Sequence, residues 1–445
     1  MVVGISSKAS KLNTLRELLE GDLNFHEKDS TYASHNFHAF AAKFPPQLPK
    51  VFIQGLTDRG DTVLDPMMGS GTTIVEAFLA GRRAIGFDID PLAVHLCRVK
   101  VTPLNVERLT ALGEEILNGA RWLFAAPTTV AEELPRRFDP KTREFIDYWF
   151  LPDTQRELMA LIMGIENVKD EAIRDFLELT FSSIIITKSG GVSIARDLAH
   201  TRPHRDETKV PQSALAAFEY RLKKNIAGIA ELRDGEGTVE LHSGDARALT
   251  LADESVDLVV TSPPYANAID YMRAHKFSLV WFGSRIEELT RLRATYIGSE
   301  RVADTNLAFL THRPETVIRQ LARKDPRKAK VLRKYFTDMS NAISEMYRVL
   351  RPNTAAIIVV GTSTMRGINV ETHLCLADIA AEIGFQVVGV ANRQLDRNRR
   401  MMPARFKKSA SMIEQRIHEE HVIGLLKTNV ATAEEPYANT DADRD

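Results

Sequence analysis

Residues 61–90 read DTVLDPMMGSGTTIVEAFLAGRRAIGFDID, and the succession of textures in this stretch decides the fold. Asp61 to Asp65 is an apolar run too short for a helix and closed off by Gly60 and Pro66, which predicts a buried strand. The Gly-rich turn PMMGSG follows, then a helix over Thr72 to Ala80, a break at Gly81 and a second strand over Arg83 to Asp88. A further helix starts near Pro91. This is a βαβ unit, which belongs in an open, mostly parallel, doubly wound α/β sheet with helices on both faces.

Upstream, KLNTLRELLEG (11–21) has helical apolar spacing, and HNFHAFAAKFPPQLPKVFIQGL leads through Pro45, Pro46 and Pro49 into a short helix over Lys50 to Leu56. Downstream, residues 105–236 turn mainly helical, a helical insertion into the sheet. Strand signals return at Thr238 to His242, Val256 to Thr261, Ala355 to Gly361, Phe385 to Val390 and His421 to Leu426. Helices are expected at Tyr335 to Leu350 and Glu371 to Ile383, after a polar, helical excursion over 284–336. The acidic tail from Ala431 lacks the apolar residues to fold.

Composition narrows the function classes. The chain has 445 residues, 44% apolar and 26% charged, a globular balance that excludes long disorder or a coiled-coil rod. Its 58 basic and 59 acidic residues leave a net charge of -1, so a nucleic-acid partner would have to be met by local patches. Cys97 and Cys375 lack metal-ligand spacing, so neither a zinc site nor a disulfide framework is expected. No leader-like or membrane-length apolar run occurs, and a cytoplasmic protein off the membrane is expected.

The turn carries the first chemical signal. A Walker loop requires Lys after its last Gly, but Thr72 follows Gly71; a dinucleotide fingerprint requires a third Gly where Ile74 stands. Acids at neighbouring strand tips suit a nucleoside with a cationic tail better than a polyphosphate. Asp65 would take an ammonium group, such as that of S-adenosylmethionine, and Asp88 a ribose diol; Asp245, in HSGDARAL after a third strand, would take an adenine amino group. Each of these acids alone also suits a strand end, a turn or a helix cap.

The second signal is ESVDLVVTSPPYANAIDY, in which a strand runs into Ser262-Pro263-Pro264-Tyr265. Two prolines stiffen backbone at the carboxyl edge of the sheet, where such folds bind ligands. An exocyclic ring amine is a poor nucleophile, so an enzyme that alkylates it must hold its N–H groups on fixed acceptors and aim the lone pair at the electrophile. The Ser262 hydroxyl and the Pro263 carbonyl would be those acceptors, with Tyr265 stacking on the base.

With both segments in view, the sequence resembles the S-adenosylmethionine-dependent DNA amino-methyltransferases, the Ser-Pro-Pro-Tyr type among the N4-cytosine and N6-adenine methylases. The resemblance matches DPMMGSGTT to the cofactor loop (Asp65, Pro66, Gly69, Ser70, Gly71, Thr72), GFDIDP to the ribose-contacting acid Asp88, GDAR to the adenine-contacting acid Asp245, and TSPPY to the catalytic motif. Phe44 and Pro46 would wrap the methionine end of the cofactor. A Rossmann-like class I methyltransferase fold is thereby implied, acting on double-stranded DNA and, in a restriction-modification setting, paired with a restriction endonuclease. Two features depart from the pattern: the cofactor loop precedes the catalytic motif, whereas many cytosine-type members have the reverse order, and the helical block between Asp88 and Asp245 is long. Cytosine rests on Ser262, since adenine-type relatives usually carry Asp or Asn there; adenine, RNA and a silent cofactor-binding subunit stay open as alternatives.

On this reading the chain comprises an N-terminal helical segment (1–34), a cofactor-binding half of the catalytic domain (35–104) and a helical insertion as possible target-recognition module (105–236). The catalytic-motif part (237–283), the basic excursion (284–336), the rest of the catalytic domain (337–430) and the tail (431–445) follow. Two basic runs, Arg323 to Lys334 and Arg393 to Lys408, each set seven basic residues against one acid. They offer Arg323, Lys324, Arg327, Lys328, Arg397, Arg399 and Arg400 as phosphate contacts, or are solvated faces. The polar segment from Gly190 to Arg205 reaches base edges or merely links helices. His35, His38, Trp281 and Phe282 are expected to serve packing.

Overall fold

The computed structural model describes residues 5–187, 191–198, 203–266, 270–299, 310–395 and 419–428. Seven strands form one sheet, numbered here in chain order: β1 (Thr62–Asp65), β2 (Arg83–Asp88), β3 (Thr238–Ser243), β4 (Val256–Thr261), β5 (Leu350–Gly361), β6 (Phe385–Gln394) and β7 (Glu419–Lys427). Their spatial order is β6-β7-β5-β4-β1-β2-β3. Pairings from β5 through β4, β1 and β2 to β3 are parallel, while β7 runs antiparallel to both β5 and β6. The chain leaves β1 toward one edge and returns at β4 toward the other, so the strand order reverses between β1 and β4 and opens a crevice at their carboxyl ends.

The period-2 alternation of strand side chains divides the core. Val63, Leu258, Val260, Ile357 and Val359 face a layer containing α1 (Ile5–Glu20), α2 (Gln47–Leu56), α3 (Thr72–Leu79) and α4 (Pro91–Lys100). Their neighbours Leu64, Val259, Ala356 and Ile358 face the opposite layer. That layer also holds α13 (His312–Lys324), α14 (Pro326–Val349) and α15 (Thr372–Ile383). The doubly wound sheet read from residues 61–90 is therefore the fold observed.

Between β2 and β3 lie α5 (Val106–Ala125), α6 (Pro127–Arg137), α7 (Pro140–Trp149), α8 (Pro152–Glu166), α9 (Glu171–Ile185) and α10 (Ala214–Ile229). They enclose a separate apolar cluster that includes Leu92 and Leu96 of α4 and Phe277 and Trp281 around α11 (Met272–Leu279). The insertion is thus packed against α4, the helix that follows β2, and against α11, the helix that follows the Ser-Pro-Pro turn.

Some boundaries differ from the sequence reading. The helix expected from Tyr335 begins nine residues earlier, at Pro326, because Asp325 caps it by accepting from Lys328 N (3.0 Å) and because Val331 and Leu332 continue its apolar face. The first basic run is accordingly the corner between α13 and α14. β6 continues to Gln394 and takes Arg393 into the core at 1% exposure, so this residue, expected at the head of a solvent-facing basic run, is buried. Arg397, Arg399, Arg400 and the tail lie outside the described residues, as does part of the Gly190 to Arg205 segment. Among the described residues no helix is long and apolar enough to cross a membrane.

Candidate active site

The cofactor loop begins where β1 ends. Asp65 is 2% exposed and accepts from the Thr261 hydroxyl (2.7 Å) and from Met67 N (3.2 Å), which ties the tip of β1 to the tip of β4. The loop then turns through Gly69 and Gly71, at φ +46° and +72°, backbone that favours glycine. Gly71 precedes α3, and a Cβ there would stand 2.5 Å from Cys97 Sγ on α4. Beneath the loop Lys100 is fully buried and donates to Ser70 O (2.7 Å). Its ammonium pKa is held well below the usual lysine range by burial. The segment before α2 is anchored to α3 at Glu76, which takes hydrogen bonds from Tyr32 (2.7 Å) and His35 (2.8 Å).

At the tip of β2, Asp88 accepts from Gly69 N (2.8 Å) and Asp90 N (2.8 Å). Asp90 caps α4 through Leu92 N (2.9 Å) and meets His275 Nδ1 of α11 at 2.7 Å. The two acids differ in charge economy. Burial, then the neighbouring Asp90 charge, pushes Asp88 up to about 7, and burial pushes Asp65 up to about 6 despite its hydrogen bonds. Burial also opposes ionisation of Asp90, but the neighbouring His275 and the hydrogen bonds to the carboxylate, that from Leu92 N among them, together leave that carboxyl below its usual range.

These tips line one cavity. Its wall takes Phe44, Asp65, Pro66, Gly69, Ser70 and Thr72 from the first segments, Asp88 from β2, Asp245 after β3, and Ser262 and Pro264 after β4. Ten sequence-derived site residues therefore meet in one crevice. Gly71 stands behind the loop against α4, and Pro46 is the residue that leads into α2. Pro263 is buried, alternating with the half-buried Ser262 and Pro264.

Two assignments look different in three dimensions. Tyr265 is 5% exposed, and its phenol donates to Glu420 Oε1 on β7 at 2.8 Å, so its ring lies packed in the core rather than presented for stacking. Asp245 lines the cavity but is engaged by Arg247, whose Nε and Nη2 reach both carboxylate oxygens (2.6–3.1 Å). Arg247 is held in turn by Asp338 of α14 (2.7 Å) and the Thr295 carbonyl (2.9 Å). The sequence reading missed Phe40, Tyr271 and Tyr296, which bring aromatic surface to the wall; Phe40 and Tyr271 stack at 5.2 Å. Phe40 was legible as part of the aromatic stretch before α2, whereas Tyr296 stands in a polar run that carried no signal.

A crevice with buried acids at one end, apolar rings along it and a rigid Ser-Pro-Pro turn at the other fits a cationic nucleoside beside an amine-bearing ring. Comparison with known proteins agrees. A family model described as DNA methylase, for the N6 and N4 methyltransferases, matches residues 20–98, the span from the end of α1 through the cofactor loop into α4. The chain is similar to the Type II methyltransferase M.MvaI of Kocuria varians, with 25% identity over 405 residues, covering 84% of this chain and 86% of that protein.

The likeness to the DNA methylase family is carried by residues 20–98, the loop between β1 and α3 among them.

The chain is also similar to the Type II methyltransferase M.MjaII of Methanocaldococcus jannaschii, 22% identical over 357 residues, covering 61% of this chain and 67% of that one. A shorter match, 45% identical over 67 residues, links it to the Type II methyltransferase M.BglI of Bacillus subtilis, covering 15% and 19% of the two chains. Among solved structures it is similar to a TehB-like SAM-dependent methyltransferase from Corynebacterium glutamicum, at TM-score 0.29 and 9% identity, covering 86% of this chain and 87% of that one. A likeness of that degree adds nothing to the strand order described above.

Proposed function

We propose that this chain is an S-adenosylmethionine-dependent DNA methylase that transfers the methyl group to the N4 amino group of cytosine at a specific site in double-stranded DNA. In this reading it works in the cytoplasm as the modification enzyme of a restriction-modification system, beside a restriction endonuclease. The observation that carries the base assignment is Ser262 at the tip of β4, on the wall of the cofactor crevice: a neutral hydroxyl, not a carboxylate or amide, meets the amine. The similarity to Type II methyltransferases supports the biological setting.

The cofactor supplies a methyl group made electrophilic by a sulfonium. Everything else is positioning by the chain. Asp65 and Phe44 receive the amino-acid end, Asp88 the ribose and Asp245 the adenine amino group, with Arg247 fixing the Asp245 carboxylate. Ser262 Oγ and the Pro263 carbonyl accept the two N–H bonds of the cytosine amine, which leaves its lone pair pointing along the crevice. The helical insertion, residues 105–236, serves target recognition. At the α13–α14 corner Arg323, Lys324 and Arg327 are exposed and Lys328 half-buried, and these four contact phosphates.

Nucleoside mass spectrometry after methyl transfer from isotope-labelled S-adenosylmethionine tests the base. Labelled 4-methylcytosine in DNA is expected; 6-methyladenine would overturn the cytosine assignment within the same family, and label confined to RNA would overturn the substrate. In the same assay Arg323→Glu together with Arg327→Glu should raise KM for DNA about tenfold and leave the methylated base unchanged. An unaltered KM removes that corner from the DNA face.

Cofactor affinity should depend on pH through the two elevated acids. The ammonium and the ribose hydroxyls prefer ionised carboxylates, so affinity should rise from about pH 5.5 to 8 as Asp65 and Asp88 lose their protons. Stability of the cofactor-free protein should move the other way. Both acids titrate higher in the folded chain than in the unfolded one, so the folded state binds more protons between about pH 4 and 7 and loses stability as pH rises through that window. Calorimetric titration and thermal melting across pH check the two signs; a flat affinity profile would remove Asp65 and Asp88 from the cofactor site.

A further inference from the structure

The helix that follows the Ser-Pro-Pro turn, α11, is tied to the tip of β2 by a buried contact that the steps described so far leave unused. His275 of α11 is 2% exposed, and its Nδ1 meets Oδ2 of Asp90, itself 4% exposed, at 2.7 Å. An ionised carboxylate only accepts, so Nδ1 carries the proton in this contact. Asp90 in turn continues the tip of β2. Its N–H donates to Asp88 Oδ1 (2.8 Å), its other carboxylate oxygen caps α4 through Leu92 N (2.9 Å), and Asp88 Oδ2 takes Gly69 N of the Gly-rich loop (2.8 Å). Hydrogen bonds therefore connect the loop, the acid at the end of β2 and α11.

The imidazole ring has neighbours of another kind. Tyr271, immediately before α11, and His275 stand one helical turn apart and face the same way, with ring centroids 5.9 Å apart. The His275 ring is also 5.4 Å from that of Phe40. Phe40 and Tyr271, stacked at 5.2 Å, both line the cavity, and Phe40 rests on the loop, where a Cβ at Gly69 would stand 3.2 Å from its Cε1. A side chain needed only to fill the space behind these rings would be apolar, and one needed only to satisfy Asp90 would require no ring. Histidine joins the fixed donor and the flat ring in one residue.

We propose that His275 is a positioning residue with two separable actions: its Nδ1–H holds Asp90, and with it the tip of β2, in the arrangement that binds the cofactor, while its ring holds the Phe40–Tyr271 wall that runs between the cofactor end of the crevice and the Ser-Pro-Pro turn. The helical insertion gains a path to the crevice through the same helix, since Phe277 and Trp281, a few residues on, lie in its apolar cluster. The inference rests on the reading of Asp88 as the ribose-binding acid and of the Ser-Pro-Pro turn as the amine-binding end.

The two actions are tested on the full chain by cofactor Kd from isothermal titration and by the single-turnover rate at saturating labelled S-adenosylmethionine and DNA. His275→Phe keeps a ring and loses the donor: Kd should rise about tenfold, as for a buried acceptor deprived of its partner, while the rate falls no more than about threefold. His275→Asn keeps a donor near the position of Nδ1 and loses the ring, so Kd should stay within about twofold while the rate falls about tenfold or more. Asp90→Ser retains a cap for α4 but is too short to reach His275, and should raise Kd about as much as His275→Phe. Adding His275→Phe to Asp90→Ser should then change Kd by less than about twofold; a second tenfold rise would show that His275 does not act through Asp90 and overturn the inference. A merely structural residue would change Kd and rate alike in His275→Phe and His275→Asn, and that result, or wild-type Kd in His275→Phe, overturns it as well. If His275→Phe does not fold, wild-type Kd in Asp90→Ser or an undiminished rate in His275→Asn does the same. Asp88→Ala separates the premise, because wild-type Kd there would refute the ribose reading itself.

Discussion

Ser262→Ala is expected to lower the rate of methyl transfer about a hundredfold while cofactor affinity stays within about twofold. The side chain sits at the tip of β4, on the part of the crevice wall formed by the Ser-Pro-Pro turn, and loses one hydroxyl with little change in volume. The amine would then have only the Pro263 carbonyl as acceptor, and its lone pair would no longer be held in one direction. A single-turnover experiment with labelled cofactor isolates this step from product release, and isothermal titration gives the affinity. Loss of cofactor binding in step with the rate would place Ser262 in the cofactor site instead.

Gly71→Ala should be the more damaging change for the cofactor. The residue has φ +72°, which costs an L-residue about 1 kcal/mol, and the added Cβ would lie 2.5 Å from Cys97 Sγ, forcing α3 and α4 apart in a core where overpacking costs about 1–3 kcal/mol. Since α3 and α4 carry the loop that runs from Asp65 to Thr72 and the cap at Asp90, their separation should weaken cofactor binding at least about tenfold and lower the melting temperature by several degrees. A variant with wild-type affinity and melting behaviour would show that the loop tolerates the space. Cys97→Ala in the same chain should restore part of the loss, because it removes the Sγ atom that the methyl group meets.

Much of the sheet was legible because strand tips carry local signals. The run Asp61 to Asp65 is bounded by Gly60 and Pro66, and the continuous apolar runs in DLVVT and AAIIVVG match strands buried on both faces. The site residues nearest those tips, Asp65, Asp88, Asp245 and Ser262, were read for the same reason: a strand end fixes where the next side chain goes. What escaped depends on distant partners. Nothing local to Arg393 distinguishes it from the arginines that follow, yet pairing of β6 with β7 sets it beside Glu420 and buries it. Tyr265 reads as an exposed ring at a turn until Glu420 is seen to hold it. Arg247 looks like a solvent residue after GDA and is instead a clasp between Asp245 and Asp338, two carboxylates far apart in the chain. The start of α14 was misplaced because the charges from Arg323 to Lys334 obscure an apolar stripe that only packing against the sheet makes evident.

The insertion between β2 and β3 also bears on how the chain reaches its fold. Arg83 pairs with Thr238, so adjacent strands of the sheet are joined only after seven α-helices of the described residues, α4 to α10, have been threaded between them. The entropy of closing so long a loop grows only with the logarithm of its length, but it must be met before the β2–β3 ladder returns any stabilisation. The helices have their own apolar cluster, with which α4 is packed, so we expect their collapse to bring residue 238 back toward residue 83 ahead of strand pairing. Until then β2 has an open edge, and Asp88 stands at the end of a strand that a second chain can pair with. Refolding yield at rising protein concentration is therefore set by how soon the insertion collapses, and substitutions in its core, such as Phe176→Ala, should promote aggregation during refolding even though they lie outside the crevice.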